Sequence, residues 1–321
     1  MVEFRVISTI GPASRNAAFL RVCQEVGQAH LRINGSHLDA VALEASLSFL
    51  QPFGAAVTVD LQGRKQRIGE LSRPLELAVN EVVELVAGDR AADGAVPLPD
   101  PALFVSLREG DLLILMDRQV ELVVEDRSEA SVHARVKRAQ PLRSRAGIYV
   151  AGRPLGAVGL PPSQLAQVEL ARRFQVDALA LSYVSEAGEL EALRSLCRAS
   201  GYSPRLVAKL ETPEAVRSLE SIAAAADELW LCRGDLGSIV SGKELAALQF
   251  KVLREAQALV PPCLVAGQVF HHLTHHEEPT RSEVVHLAEL RERGARGIVL
   301  SDETAIGVNP ENALRQVLAL V

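Results

Sequence analysis

The sequence predicts an α/β fold, a (β/α)8 TIM barrel with a small inserted β-rich lid domain. Apolar runs typical of strands alternate with amphipathic helical patterns, and this alternation gives eight strand-helix pairs. It is interrupted by a segment with short alternating runs and no long helical pattern. We therefore expect a barrel domain over residues 1–68 and 150–321 and the inserted domain, called the lid, over residues 69–149.

The first part of the predicted barrel contains three strands and two helices. The strands are FRVISTI, HLRIN and AAVTVDL, and the helices cover residues 19–26 and 38–50. After the insert, the strands are DALALS, RLVAKL, ELWLC, CLVA and GIVLS. The accompanying helices cover residues 163–174, 186–198, 213–222, 243–259, 281–293 and 310–320.

The predicted lid is indicated by four β-type runs separated by Gly, Pro and Asp. They are LELAVNEVVELV, DLLILMD, VELVVED and ASVHARVKR. Alternating apolar and polar residues predict strands with one buried face, so the lid has its own small sheet.

Composition favours a small-molecule partner. The chain has 34 basic and 40 acidic residues, a net charge of −6, so it is not built to coat nucleic acid or an anionic membrane. No apolar run reaches spanning length and the amino terminus has no signal-peptide layout, so we expect a cytoplasmic protein. The four cysteines stand singly in apolar segments, which indicates reduced core thiols.

The carboxyl ends of barrel strands carry the chemistry in this fold class, and here those positions are rich in polar side chains. They are Thr9, Arg32, Asn34, Asp60, Ser182, Lys209, Glu211, Arg233, Asp235, Gln268, Ser301 and Glu303. A barrel that needed stability alone would not require a lysine, two arginines and several carboxylates at one rim.

Lys209, Glu211 and Asp235 form the most informative group. A surface salt bridge would explain Lys209 and Glu211 taken alone. Asp235 adds a second carboxylate at the next strand end, and two carboxylates with room for water suit Mg²⁺. A lysine beside such an ion can stabilise phosphoryl transfer.

Three other segments have weaker signals. Thr280 and Glu283 predict a capping box at a helix start. Ser301 to Thr304 follows the last strand, where barrels often bind phosphate. In the stretch DLQGRKQRIG, residues 60–69, Lys65 and two arginines follow directly after an apolar strand. This arrangement indicates either a solvated loop or a site that binds an anion.

Taken together, several motifs resemble those of the pyruvate kinase family, in the same order and with matching spacing. These are STIGPAS, LRINGSH, DLQGRKQR, VAKLE, CRGDLG, PTRSE and LSDETA. The β-rich insert falls where that family has its mobile lid, including ILMD and SRAGIYVAG. The resemblance covers the whole chain.

The resemblance implies a role for each matching residue. Lys209 would stabilise the phosphoryl group during its transfer, and Arg32 would contact the same group. Ser301 and Glu303 would belong to the hydrogen-bond network near the enolpyruvate. Glu211 and Asp235 would hold Mg²⁺ or Mn²⁺. The substrate would lie near Arg233, Gly234, Asp235, Gly267 and Gln268. The nucleotide would lie near Pro12, His37, Arg67 and Arg145. The monovalent-cation site of the family would be formed by Asn34, Ser36 and Asp60.

The resemblance also implies a role for Lys65. Most members have glutamate there and need K⁺, whereas a potassium-independent group resembles this chain, with Leu61, Gln62, Lys65 and Ile68 at matching positions. A tethered ammonium can replace the field of a bound monovalent ion. We therefore expect that K⁺ is not required.

Three departures from the family pattern bear on specificity and regulation. Gly267 stands where the family has a substrate-binding threonine, which would remove a hydroxyl donor and leave room for a larger substrate. Ser185 and Ile306 stand where basic residues are usual. The chain ends at Val321, where relatives continue into a regulatory domain, so we expect no effector control of the usual kind and any homo-oligomer to use barrel or lid surfaces.

The sequence thus predicts a Mg²⁺-dependent transfer of phosphoryl between phosphoenolpyruvate and ADP, giving pyruvate and ATP. Two alternatives remain open. One is metal-dependent enolate chemistry on a pyruvate-like keto acid, as in a decarboxylase or aldolase. The other is a non-catalytic binding protein of the same family, against which the retained Lys209, Glu211, Asp235 and Arg32 argue.

Overall fold

The structure is a computed structural model that describes residues 4–27, 30–152 and 160–321, apart from the side chains of His37 and Pro162. Strands and helices are numbered along the chain. Two compact units account for the chain, and each is described by itself.

The first unit, called the barrel unit, comprises Met1–Gly63, Val158–Gly234 and Lys243–Val321. Its eight parallel strands close in the order β1-β14-β13-β12-β11-β10-β3-β2. They are β1 (Arg5–Ile10), β2 (His30–Asn34), β3 (Ala56–Leu61), β10 (Ala178–Leu181), β11 (Arg205–Leu210), β12 (Glu228–Cys232), β13 (Cys263–Ala266) and β14 (Gly297–Leu300). The predicted (β/α)8 TIM barrel is confirmed.

The barrel strands are apolar on both faces because helices cover the outside and side chains fill the inside. Every residue of β10, β12, β13 and β14 is buried. The buried cluster that joins these strands contains Ile7, Ala178, Ala180, Val207, Trp230, Cys232, Leu264, Ala266 and Val299. The single tryptophan therefore lies in the packed core.

The helices follow the predicted rhythm, with differences at three places. They are α1 (Ala17–Glu25), α2 (Ala40–Leu50), α3 (Pro101–Ser106), α4 (Pro162–Arg173), α5 (Ala187–Ala199), α6 (Pro213–Arg217), α7 (Leu219–Ala225), α8 (Arg233–Ile239), α9 (Gly242–Ala256), α10 (Arg281–Glu292), α11 (Asp302–Ala305) and α12 (Pro310–Leu318). The expected single helix over 213–222 is two helices that meet at Ser218. Short helices α8 and α11 also follow β12 and β14, where no helix was predicted.

The second unit, called the insert unit, comprises Arg64–Ala157 and Asp235–Gly242. Its six-stranded sheet has the order β5-β4-β8-β7-β6-β9. The strands are β4 (Val82–Ala87), β5 (Ala95–Leu98), β6 (Leu112–Leu115), β7 (Val120–Arg127), β8 (Ser131–Arg138) and β9 (Ile148–Val150). A β-rich insert was predicted, and the structure has one.

The insert unit begins before residue 69, where the sequence placed its start. Ile68 is fully buried in the core of this unit and its N–H donates to the carbonyl of Ala146 at 2.9 Å. Leu85, Val96, Leu113 and Leu122 belong to the same core. Packing and pairing therefore draw the segment after Gly63 into the insert unit.

A buried carboxylate lies at the amino end of the barrel strands. Glu228 opens β12, is 1% exposed, and accepts hydrogen bonds from Arg205 and from the Trp230 indole, each at 2.6 Å. Arg5 also pairs with it. Because this end is remote from the rim where barrels bind substrates, the cluster is a stability feature.

The cysteines are free and buried, as predicted. Burial raises the pKa of the Cys23 and Cys263 thiols to about 12, so these thiols are protonated at neutral pH. Among the helices in the described part of the chain, none combines the length and apolar character needed to cross a membrane.

Candidate functional site

Arg32 and Asp60 form an ion pair at the carboxyl ends of β2 and β3, in which two guanidinium nitrogens contact one carboxylate oxygen. Arg32 Nε lies 2.8 Å and Nη2 lies 2.6 Å from Asp60 Oδ2. Arg32 Nη1 also donates to Thr9 Oγ1 at 3.0 Å. Two adjacent strand pairings, β1 with β2 and β2 with β3, bring these three residues together.

Lys209 joins the same cluster from the end of β11. Its ammonium lies 3.1 Å from Asp60 Oδ2, 2.8 Å from Glu211 Oε1 and 2.6 Å from Ser182 Oγ. The Ser182 hydroxyl in turn donates to Asp60 Oδ1 at 3.1 Å. The Lys209 ammonium thus lies against two carboxylates and one hydroxyl, and Arg32, Asp60, Lys209 and Glu211 form a buried cluster of two cations and two anions.

The cluster keeps its members charged although it is buried. Burial alone would raise the pKa of Asp60, but Lys209 and Arg32 hold it below the ordinary value. Burial alone would lower the pKa of Lys209, but Asp60 and Glu211 raise it well above the ordinary value. A buried ion pair of this kind is tolerated because each charge has an opposite neighbour.

Glu211 is held by backbone as well as by Lys209. It is fully buried, and its Oε2 accepts the N–H of Tyr183 at 2.7 Å. Tyr183 has a φ of 56°, a left-handed conformation that a non-glycine residue rarely adopts. Such strain at a strand end is typical of a functional site.

The residues expected at the monovalent-cation site are bonded among themselves. Asn34 Oδ1 accepts the Ser36 hydroxyl at 2.7 Å and the Ser36 N–H at 3.2 Å. The Asp60 carboxylate is shared by Arg32, Lys209 and Ser182, as described above. These contacts occupy the side-chain oxygens of Asn34 and Asp60.

Arg233 and Gly267 link the carboxyl ends of β12 and β13. Arg233 Nε and Nη2 donate to the Gly267 carbonyl at 2.9 Å and 2.6 Å. Gly267 has a φ of 88°, and a Cβ there would lie 3.0 Å from the Gly234 nitrogen. The space beside Gly267 is therefore filled by backbone, contrary to the expectation that this glycine leaves room for a larger substrate.

Glu303 connects the last two strand ends through backbone contacts. Its carboxylate accepts the N–H of Phe270 at 3.2 Å and that of Ser301 at 2.7 Å. Glu303 is 1% exposed, and burial raises its pKa. The structure thus brings Ser301 and Glu303 together, with the carboxylate occupied by the loops that it anchors.

Within the insert unit, Lys65 pairs with Asp235. The Lys65 ammonium lies 2.6 Å from Asp235 Oδ1, and the exposed fractions of the two side chains are 30% and 31%. The two residues are 170 positions apart in the chain. Asp235 opens the short second segment of this unit, residues 235–242.

The two predicted metal ligands belong to different units, Glu211 to the barrel unit and Asp235 to the insert unit. Both offer carboxylate oxygens, the donor type that Mg²⁺ prefers, and both have a lysine partner in the structure. Within the described residues, no group of three or more His, Cys, Asp and Glu side chains could hold a metal ion. Their chemistry fits a metal that keeps most of its water.

Arg67 and Arg145, two of the predicted nucleotide contacts, lie together in the insert unit. Arg67 donates to the Arg145 carbonyl at 3.1 Å. The Arg145 guanidinium is exposed and pairs with Asp89 at 2.7 Å and with Glu70 at 3.1 Å. The hydrogen bond from Arg145 to Glu70 is the largest cause of the raised pKa of Arg145.

The other residues that the sequence analysis singled out lie mostly at the surface or in short turns. Pro12 is exposed in the turn after β1, and His37 ends a 3₁₀ helix, Gly35–His37. Gly234 and Gln268 are exposed, and Gln268 has a φ of 53°. Ser185 bonds to Glu189 at the start of α5, and Ile306 is 58% exposed.

Sequence reasoning missed His286, whose Nε2 lies 2.6 Å from Arg233 Nη1. It stands on the sixth position of α10, and no local pattern sets it apart. The strain at Tyr183 was also missed, because backbone angles have no signal in one sequence.

Known proteins resemble this chain over most of its length. The family model "Pyruvate kinase, barrel domain" matches residues 1–314. A pyruvate kinase of Agrobacterium vitis is 30% identical over 95% of this chain and 66% of its own length. Pyruvate kinases of Mycobacterium tuberculosis H37Rv and Aeropyrum pernix are each 30% identical, over 99% and 97% of this chain and 69% and 68% of their own lengths. This chain spans about two thirds of such relatives, and it belongs to the pyruvate kinase family of phosphotransferases.

Proposed function

We propose that this chain transfers the phosphoryl group of phosphoenolpyruvate to ADP, giving pyruvate and ATP. The observation that carries the proposal is the Lys209 ammonium, buried between Asp60 and Glu211 at a barrel strand end. A lysine kept charged in a buried site is suited to stabilise a phosphoryl group as it moves. The family relationship supports phosphoenolpyruvate and ADP as the substrates.

In the proposed reaction, the bond between phosphorus and the enol oxygen breaks as a bond to an ADP phosphate oxygen forms. Arg32 holds the phosphoryl group and Lys209 neutralises its charge. Asp60, Glu211 and the Ser182 hydroxyl, all within 3.1 Å of the Lys209 ammonium, hold it in place for this contact. The enolate then takes a proton at its methylene carbon from a water network near Ser301.

A divalent ion, Mg²⁺ or Mn²⁺, is the proposed cofactor, with the carboxylates of Glu211 and Asp235 as its protein ligands. When bound, it would neutralise charge on the phosphates. The nucleotide contacts proposed from the sequence remain Pro12, His37, Arg67 and Arg145. Release of Arg145 from Asp89 and Glu70 would free its guanidinium for a phosphate.

We further propose that turnover does not require K⁺. Two observations support this: the oxygens of Asn34 and Asp60 are occupied by neighbouring side chains, and Lys65 supplies a fixed positive charge. The role of Lys65 as the replacement for K⁺ rests on the sequence, because Lys65 belongs to the insert unit and Asn34, Ser36 and Asp60 to the barrel unit.

The test is pyruvate formation from phosphoenolpyruvate and ADP with Mg²⁺, in buffers with and without K⁺. Equal activity in both buffers, lost in Lys209→Met, is the expected result. Stimulation by K⁺ would contradict potassium independence. Turnover of oxaloacetate with none of phosphoenolpyruvate would indicate the alternative enolate chemistry, which loses its argument from pocket size because backbone fills the space beside Gly267.

A further inference from the structure

The guanidinium of Arg233 is held from two sides within the barrel unit. Two of its nitrogens donate to the Gly267 carbonyl and the third nitrogen, Nη1, lies 2.6 Å from His286 Nε2. Arginine stays protonated and can only donate, so His286 Nε2 must be the acceptor. His286 is therefore neutral in this arrangement, with its proton on Nδ1.

This chain of contacts ties together two strand ends that the resemblance to pyruvate kinases predicts to lie near the substrate. Arg233 directly follows β12 and Gly267 directly follows β13, and the last residues of these strands, Cys232 and Ala266, are paired in the barrel. Gly267 has a left-handed φ of 88°, and a Cβ added there would lie 3.0 Å from the Gly234 nitrogen. The position of the guanidinium and the path of both strand ends thus depend on each other.

His286 stands on a fixed support. Helix α10 begins with a capping box in which Thr280 and Glu283 bond reciprocally, and Glu283 also accepts the His272 N–H at 2.9 Å. A helix whose first turn is fixed in this way presents its side chains with little freedom. The imidazole is partly buried, with 29% of the side chain exposed.

We propose that His286 is a positioning residue that orients the Arg233 guanidinium on the Gly267 carbonyl and thereby sets the backbone that binds the phosphorylated substrate. This inference rests on the proposed function. His286 acts through Arg233, so it should govern substrate affinity more than the chemical step.

The charged groups around His286 determine the pH range in which its Nε2 can accept a hydrogen bond from Arg233. Burial and the charge of Arg233 lower the pKa of His286, and Glu289, 4.0 Å from Nδ1, opposes them. The neutral imidazole that the contact needs is therefore the form present at neutral pH. Because the pKa of His286 is lowered, protonation needs a pH below the ordinary value of 6.5, and it removes the acceptor and places two cations against each other.

Three variants test the proposal in steady-state assays with phosphoenolpyruvate. His286→Leu removes the acceptor and is expected to raise the KM about tenfold or more with kcat little changed. His286→Gln keeps a neutral acceptor near the Nε2 position, so its KM should stay within about threefold of the wild type at pH 7.5. His133→Leu, in the insert unit, is the control and should match the wild type.

The pH profile separates positioning from a merely structural role. The wild-type KM should rise as the pH falls below 6.5. In His286→Gln the KM should rise less over the same pH range, because glutamine does not become protonated. The same acid rise in His286→Gln, or an unchanged KM in folded His286→Leu, would overturn the proposal.

A second readout does not depend on turnover. In ¹⁵N NMR spectra of labelled wild type, the His286 imidazole should show unprotonated Nε2 and protonated Nδ1 at pH 7.5, with a midpoint below 6.5. A protonated Nε2 would overturn the proposal even if the enzyme is active. The expected tautomer in a protein that does not turn over phosphoenolpyruvate would instead place the failure in the proposed function.

Discussion

The hydroxyl of Ser182 bridges the Lys209 ammonium and the Asp60 carboxylate, at 2.6 Å and 3.1 Å. It accepts from the cation and donates to the anion, so it orients both groups without adding charge. A bridge of this kind connects the ends of β10, β11 and β3, three neighbouring strands. The neutral member of the cluster thus links its charged members.

Ser182→Ala should remove both bonds and lower kcat/KM for phosphoenolpyruvate about tenfold, because a hydrogen bond to a charged group contributes about 1.5–3 kcal/mol. The measurement is steady-state kinetics on folded protein. Ser185→Ala, which loses a bond to Glu189 at the start of α5, is the matched control and should keep its activity. Wild-type activity in the Ser182→Ala variant would contradict the bridge.

Lys209→Met should abolish turnover and also lower the free energy of unfolding by about 3–5 kcal/mol, because Asp60 and Glu211 lose their shared cation. Urea unfolding followed by the buried Trp230 measures the second effect. Lys243→Met changes an exposed lysine at the start of α9 and should leave both quantities unchanged. Wild-type stability in the Lys209→Met variant would show that the buried carboxylates do not need this partner.

The depressed pKa of Asp60 predicts how stability changes in acid. A carboxyl group whose folded pKa lies below its unfolded value of about 3.8 stabilises the fold above that value, and the contribution is lost as the pH falls through the folded pKa. Unfolding free energy measured from pH 6 downward should fall less steeply in Asp60→Asn than in the wild type. Asp93→Asn, an exposed change, should retain the wild-type slope.

Lys65→Glu should lower turnover in K⁺-free buffer and make the remaining activity respond to K⁺. The change replaces a fixed ammonium by a carboxylate that needs a mobile cation, and it sets two acids against each other at Asp235. Initial rates over a range of K⁺ concentrations test this. Lys137→Glu makes the same charge change at an exposed position of β8 in the insert unit, and K⁺ should not affect the activity of this variant. An active Lys65→Glu variant indifferent to K⁺ would refute the assigned role.

Glu228→Gln should destabilise the fold by about 1–3 kcal/mol without changing kcat, because Arg5 and Arg205 would lose a charged hydrogen-bond acceptor at the end of the barrel opposite the site. Thermal unfolding and kinetics below the transition measure the two effects. Glu255→Gln, whose carboxylate lies 3.8 Å from Arg254 on an exposed face, is the control. A large loss of kcat in folded Glu228→Gln would show that the two ends are coupled.

The sequence predicted the barrel because parallel strands covered on both faces are apolar throughout and easily recognised. It placed Arg32, Asp60 and Lys209 at strand ends correctly, and the structure joins them. Strand β5 was missed because Pro97 interrupts its pattern, and helix α8 because two glycines lie within seven residues. The contact of His286 with Arg233 depends on packing between distant segments, which one sequence does not encode locally.

The insert unit is assembled from two stretches of chain that are far apart, residues 64–157 and 235–242, and the pair Lys65 and Asp235 joins them. A chimera that exchanged only the long stretch between two relatives would combine a lysine from one parent with an aspartate from the other. Homologous exchange would therefore need four junctions. Such an exchange would keep both members of the Lys65–Asp235 ion pair from one parent only if the short stretch moved together with the long one.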